Sequence, residues 1–399
     1  MSISIEDIQL AKTRIGEQVL RTPCLKSNTL SERLGCNLFI KFENQQFTAS
    51  FKERGALNCL MAQQQDLSAG IITMSAGNHA QAVAYHGKRL GIPTTIVMPR
   101  STPNAKVEAT RVFGAEVILH GNVFEESRTY TLGLRDERGL TLIHPFDDEL
   151  VIAGQGTIGL ELLEQVDTLE CVIVPIGGGG MISGIACAIK TLNPRVRIIG
   201  VQMDGFAGAF DLLSNGNSPQ KKATVAEGIA VKAPGQITGA LIKQWVDEIH
   251  LVSETEVEQA IFDLLEIEKT VAEGAGAAPL ALLTRERELC KGQNVAMILS
   301  GGNIDMMILS SVLQRGLART HRLIRLQVEV PDAPGALAAL TAIVGEMDSN
   351  IVEIHHQRTF DASSVKATVI ELVLQMRGEE QEDHVVKALM DAGYSVTAP

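Results

Sequence analysis

The chain predicts an α/β architecture built on open parallel sheets, followed by a smaller α+β unit at its C-terminal end. Three observations carry this expectation. From about residue 70, short β-rich runs alternate with longer helical ones. Glycine-rich turns stand where apolar strands give way to helices. Beyond residue 321 the pattern changes to the polar–apolar alternation of a half-buried sheet. Strands that alternate with helices require a parallel sheet with right-handed crossovers.

Taken in order, Ile71–Met74 reads as a strand. Ala80, Val83, Ala84, Gly87 and Leu90 then recur at helical spacing, with Gly91 as the stop. Thr95–Met98 is strand-like, Asn104–Phe113 helical, and Val117–Leu119 strand-like. The alternation resumes at Cys171–Ile176, passes a glycine turn into a helix beginning near Met181, and returns through the strand Arg197–Val201. Ser253-Glu254-Thr255-Glu256 is a capping box at the head of a long helix, and Asn294–Leu299 is a last buried strand. Two sheet units, one nested inside the other, account for residues 1 to about 320.

After that, Leu326, Val328 and Val330 alternate with Arg325, Gln327 and Glu329. A turn at Pro331 and Pro334-Gly335 precedes a helical stripe of Leu337, Leu340, Val344 and Met347. Ile351–Gln357 and Val365–Leu374 read as strands, Val385, Val386 and Leu389 as a helix ended by Gly393, and a final strand lies near Ser395. The order βαββαβ is ferredoxin-like.

Composition narrows the function. A chain of 399 residues exceeds one ordinary core, and its 45% hydrophobic content suffices for several. A net charge of −12 argues against nucleic-acid or anionic-membrane partners. The start is acidic where a signal peptide is basic, and no run approaches the ~18 apolar residues of a membrane span, so a cytoplasmic location is expected. The six cysteines are scattered, with no C-x-x-C and no histidine at ligand spacing, so neither a zinc site nor a disulfide framework is expected.

Four segments carry chemistry. Ala49-Ser50-Phe51-Lys52-Glu53-Arg54-Gly55-Ala56 sets an amine among small residues and an aromatic ring. Such a lysine is either a surface side chain at a helix start or an amine poised to capture an aldehyde cofactor. Gly177-Gly178-Gly179-Gly180 between a strand and a helix forms an anion cup of backbone N–H groups. Neither a dinucleotide fingerprint nor a G-K-[ST] follows, so a monophosphate fits best. Ser75-Ala76-Gly77-Asn78-His79 offers N–H, hydroxyl and amide groups to a carboxylate, and Ser300-Gly301-Gly302-Asn303 ends a strand where open α/β sheets bind ligands. An amine, a phosphate cup, a carboxylate turn and a strand-end hydroxyl together suit a pyridoxal phosphate enzyme acting on an amino acid.

These four motifs, in this order, resemble the fold-type II pyridoxal phosphate family (tryptophan synthase β-like), and within it the threonine ammonia-lyase branch. The last unit resembles the ACT domain, including its Asp332-Ala333-Pro334-Gly335-Ala336-Leu337 turn. The resemblance implies a large catalytic subdomain of residues 1–46 and 148–321, a small inserted one of 47–147, and an ACT domain of 322–399. It implies pyridoxal 5′-phosphate held covalently by Lys52, with Phe51 beside the ring, Asn78 on its 3′-oxygen, and Ser300 at the pyridine nitrogen. Gly177, Gly178, Gly179, Gly180 and Met181 would bind the phosphate. Ser75, Gly77, His79 and, from the stretch Gln155-Gly156-Thr157, Gln155 would line the substrate pocket, and Glu273 sits in a segment similar to one bordering the cofactor. The implied reaction is β-elimination from L-threonine or L-serine to a 2-oxo acid and ammonia, with Lys52 as base, in amino-acid metabolism such as isoleucine biosynthesis. Expected partners are the amino-acid substrate, an amino-acid effector at the ACT domain, and further copies of the chain in a homodimer or homotetramer.

Serine racemases, hydroxyaspartate ammonia-lyases and cysteine synthases share this resemblance, and a silent amino-acid sensor is the non-enzyme alternative. Racemases resemble S-S-G-N-H, with the second serine as acid/base; Ala76 stands there and cannot carry a proton. Their divalent site needs acids where Gln202 and Gly208 fall, so no residue is expected to ligate a divalent metal there, and a monovalent cation stays open.

Overall fold

The computed structural model describes residues 3–220, 223–357 and 365–398. It divides into two compact units, Met1–Asp305 and Met306–Pro399. The first holds two sheets. Its strands, in chain order, are β1 (Cys24–Lys26), β2 (Asn37–Phe42), β3 (Ile71–Met74), β4 (Thr94–Met98), β5 (Glu116–Leu119), β6 (Thr141–Leu142), β7 (Cys171–Pro175), β8 (Arg197–Met203), β9 (Glu248–Val252) and β10 (Asn294–Leu299).

The larger sheet runs β1-β2-β10-β7-β8-β9, parallel throughout except for the antiparallel β1 at its edge. The smaller runs β5-β4-β3-β6, all parallel. Strands β3 to β6 fall between β2 and β7 in the chain, so the smaller sheet is an insertion into the larger, as the nested alternation predicts. Val172, Val174, Ile185, Ile189, Ile198 and Ile298 pack the core of the larger sheet; Ile71, Ile96, Met98, Val83 and Leu60 pack that of the smaller.

Helix Glu149–Gln165 is apolar on nearly every face, the signature of a fully buried helix. It crosses helix Lys52–Ala62 at a glycine contact. A Cβ on Gly154 would lie 2.6 Å from the Arg54 carbonyl, and one on Gly55 2.3 Å from the Gln155 amide nitrogen. The two backbones therefore touch, and this sets where the helix bearing Lys52 begins. Just below the crossing, Arg54 is buried between Glu43 and Glu161, with N···O distances of 2.8 and 2.6 Å. Lys41 pairs with the same Glu161. Burial alone would raise the Glu43 carboxyl, but the Arg54 guanidinium outweighs it and holds the group below the usual carboxylate range.

The second unit opens with helix Met306–Arg319 and continues through β11 (Leu323–Pro331), helix Ala336–Glu346, β12 (Asn350–Gln357), β13 (Ala367–Gln375), helix Glu379–Asp391 and β14 (Ser395–Thr397). Its antiparallel sheet runs β12-β13-β11-β14, the ferredoxin-like arrangement. Leu326, Val328 and Val330 of β11 pack with Leu340, Val344, Val385 and Leu389, so both helices after β11 cover one face of the sheet. No helix among the described residues is long and apolar enough to cross a membrane.

Candidate active site

The segment leading into Lys52 is stitched to the end of β10. Ala49 adopts a left-handed conformation (φ 54°), which turns the chain so that Ser50 bridges Gly301. The Phe51 N–H donates to the Ser300 carbonyl at 3.1 Å, the Gly302 N–H to the Ala49 carbonyl at 2.9 Å, and Asn303 Nδ2 to the Thr48 carbonyl at 2.7 Å. Ser50 Oγ accepts from the Lys52 N–H at 3.1 Å, so the helix starts at the carboxyl edge of the larger sheet. Ser300, only 2% exposed, is the first residue beyond β10.

Lys52 is half-buried. Its amine donates to the Pro145 carbonyl at 2.7 Å and lies 5.0 Å from the Phe51 ring centroid. Desolvation pushes its pKa down to about 8, against the pull of the Glu273 carboxylate. An amine in that state is substantially neutral at mildly alkaline pH, as a nucleophile or base must be.

Strand β3 delivers Ser75 to the same edge. The Gly77 N–H donates to Ser75 Oγ at 3.3 Å, and Asn78 opens helix Asn78–Leu90. Asn78 Nδ2 donates to Glu273 Oε1 at 2.8 Å, and Asn78 Oδ1 accepts from Asn303 Nδ2 at 2.8 Å. Burial raises the Glu273 carboxyl to about 7, with the Asn78 hydrogen bond opposing. His79 is buried, its Nε2 3.1 Å from the Ile143 carbonyl, which can only accept. The ring proton is therefore on Nε2. Burial, with Lys52 and His144 adding, brings the pKa to about 3, so the ring is neutral and Nδ1 is a buried acceptor without a partner.

The four glycines follow β7. Among the described residues, the N–H groups of Gly177, Gly178, Gly179, Gly180 and Met181 meet no backbone carbonyl, and helix Gly180–Leu192 begins directly behind them. Gly179 has φ 93°, a left-handed conformation that favours glycine. A Cβ on Gly178 would fall 2.3 Å from carbons of the Phe146 ring, and one on Gly180 would lie 2.9 Å from the Phe146 carbonyl. The Gly178 carbonyl accepts from Thr238 Oγ1 at 2.7 Å. Asp147 anchors the facing segment by accepting from the Gln236 and Ile237 N–H groups at 2.9 Å and from Thr238 at 3.1 Å. Unpaired donors at a helix N-terminus, in a loop too tight for side chains, fit a monophosphate, and Lys52 supplies an amine for an aldehyde. The site thus fits pyridoxal phosphate. The Met181 side chain packs into the core of the larger sheet, leaving only its N–H for such a ligand.

Gln155 sits apart from these contacts. It is 1% exposed, faces Gly55 across the helix crossing, and both its amide atoms lack a partner. Gln202, also fully buried, accepts from the Ala209 and Phe210 N–H groups at 2.9 Å, its neutral amide closing the head of helix Gly208–Ser214. Among the described residues, no three His, Cys, Asp or Glu side chains gather as a metal site would require. The segment His144-Pro145-Phe146-Asp147 escaped the sequence reading, although its aromatic ring and acid between a strand and a helix are what a glycine loop needs for packing and anchorage. Asn303 was visible as part of a motif, but not its link to Asn78.

A lysine at the carboxyl edge of a parallel sheet, beside a glycine-built phosphate cup, defines a class of enzyme. The chain belongs to the pyridoxal-phosphate dependent enzymes, whose family model matches residues 15–301. It is 45% identical over 392 residues to an L-threonine ammonia-lyase of Geobacter sulfurreducens, covering 98% of both chains. Among solved structures it is similar to the processed form of threonine deaminase isoform 2 from Solanum lycopersicum (TM-score 0.72, 36% identity, 78% of this chain and 89% of that one). It is also similar to maize serine racemase (TM-score 0.73, 34% identity, 80% of this chain and all of that one).

Proposed function

We propose that this chain is an L-threonine ammonia-lyase that also accepts L-serine, giving 2-oxobutyrate or pyruvate and ammonia. The observation that carries the reading is the Lys52 amine, its pKa lowered to about 8, at the sheet edge shared with Ser300 and the glycine loop. Bound pyridoxal phosphate withdraws electrons from the Cα of the amino acid attached to it. Lys52 would hold the cofactor, and its neutral amine would take the Cα proton of the substrate. The N–H groups of Gly177 to Met181 would hold the phosphate, and Asn78 would meet the 3′-oxygen. Ser75, Gly77 and the head of helix Asn78–Leu90 receive the substrate carboxylate. His79, neutral with its proton on Nε2, contributes shape and an acceptor rather than charge. Ser300 would face the ring nitrogen as a neutral partner that does not stabilise a protonated ring. It therefore favours prompt loss of the β-hydroxyl over transamination.

Ala76 supports elimination over racemisation, since it offers no proton on the opposite face. We further take the C-terminal unit to be an amino-acid-responsive ACT module on a cytoplasmic homo-oligomer. That part of the reading rests on the βαββαβ order and the Asp332–Leu337 turn. The test is 2-oxo acid formation from L-threonine and L-serine by cofactor-loaded protein, with chiral analysis of residual substrate. Formation of 2-oxobutyrate supports the lyase. Racemised substrate without 2-oxo acid would overturn it in favour of a racemase.

A further inference from the structure

We propose that Glu273 and Asn303 are positioning residues that decide which end of the Asn78 amide faces the cofactor. The proposal rests on the reading above, in which Asn78 meets the 3′-oxygen of pyridoxal phosphate.

One group here has no choice of role. The Thr48 carbonyl can only accept, so the Asn303 atom 2.7 Å from it is the amide nitrogen. That nitrogen spends its other hydrogen on Asn78, 2.8 Å away, so the Asn78 atom it meets is Oδ1. The Asn78 NH2 is thereby turned to Glu273 Oε1, an acceptor at 2.8 Å. Glu273 is itself fixed, since it precedes helix Gly274–Arg285 and its N–H donates to the Gly301 carbonyl at 3.0 Å. A Cβ on Gly301 would lie 2.5 Å from Glu273 Oε1, so nothing larger than glycine leaves the carboxylate in place.

An amide NH2 has two hydrogens, and Glu273 takes one. The second is the group Asn78 presents to a ligand. A donor against the ring oxygen favours its anionic form, whereas a flipped amide would present a carbonyl and favour the protonated oxygen. Glu273 and Asn303 touch neither ring nor substrate in this scheme. They set the sign of a contact made by Asn78.

The test is a double-mutant cycle on the holoenzyme, read by the absorption bands of the bound cofactor and by its retention on dilution. Asn303→Ala and Glu273→Ala should each shift the balance of the two bands and weaken retention about fivefold, the equivalent of one hydrogen bond. Glu273→Gln keeps an acceptor and should keep the wild-type spectrum. With Asn78→Ala already present, neither change should alter the bands further. Equal shifts with and without Asn78, or unaltered bands and retention with Asn78 in place, would overturn the proposal. Should Asn303→Ala fail to fold through loss of its Thr48 bond, the Glu273 arm answers the same question. A wild-type protein that takes up no pyridoxal phosphate would instead bring down the cofactor reading, and this one with it.

Discussion

The N–H of Phe51 donates to the carbonyl of Ser300 at 3.1 Å, so the residue before Lys52 and the residue proposed to meet the ring nitrogen are joined through the backbone. Two motifs far apart in the chain thus act as one rigid piece. Five expectations follow from this and neighbouring contacts.

Replacing Lys52 by alanine should lower 2-oxo acid formation by about 10⁴-fold or more, because nucleophile and base are lost together. The folded variant should still bind pyridoxal phosphate non-covalently through the glycine loop. Appreciable turnover by such a variant would remove Lys52 from its role.

Covalent uptake of pyridoxal phosphate by apoenzyme should speed up with pH and reach half its maximum near pH 8, where the buried Lys52 amine titrates. The sign follows from desolvation, which disfavours the ammonium. In the unfolded chain this lysine holds its proton up to the higher ordinary value. The cost of burying the charge is therefore present below pH 8 and fades as pH rises toward that value. Stopped-flow absorbance against pH gives the midpoint, and a midpoint near 10.5, the ordinary lysine value, would contradict the burial argument.

Gly178→Ala drives a methyl group into the Phe146 ring, since the Cβ position is 2.3 Å from ring carbons. The strain should cost about 1–3 kcal/mol in chemical denaturation and loosen the cofactor phosphate. Combining it with Phe146→Ala should recover part of the cofactor affinity, which equilibrium dialysis would show.

Arg54→Met leaves Glu43 buried without its cation and Glu161 with Lys41 alone. Destabilisation of about 3–5 kcal/mol is expected at neutral pH. Because Arg54 depresses the Glu43 pKa in the folded state, the stability from this pair is full above the ordinary carboxylate range and fades as pH falls through the depressed value. Urea titrations of both proteins at neutral and acid pH should therefore converge on acidification.

Ser300→Asp should raise the fraction of turnovers that end in transamination, seen as accumulating pyridoxamine phosphate, because a carboxylate stabilises the protonated ring. An unchanged product ratio would refute the role assigned to the neutral hydroxyl.

Much of this was readable from sequence where local pattern decides. Strands β3 and β10 fall on the expected residues, and Ser253 and Glu256 form the expected capping box. Helix Glu149–Gln165 was missed because burial on all faces erases the periodicity that marks a helix. Strand β6, only two residues long, carries no pattern at all. At the site, the motifs pointed to Lys52 and to the glycine loop after β7, which the structure places on either side of the Pro145–Phe146 segment. They did not reveal that Asn303 holds Asn78, or that Phe146 fills the space beside Gly178. Those contacts join residues distant in the chain, and single-sequence spacing holds no record of them.

The bond from the Lys52 amine to the Pro145 carbonyl has a mechanical consequence. The chain leaves the larger sheet after β2 and comes back after β6, so it passes between the sheets only twice. Lys52 lies on the outgoing passage and Pro145 on the returning one. Swinging the smaller sheet would load both passages, and this bond ties them at the reactive nitrogen. The two passages are thus joined through the Lys52 amine itself. A substitution that shifts the smaller sheet should therefore register first in the surroundings of the Lys52 amine.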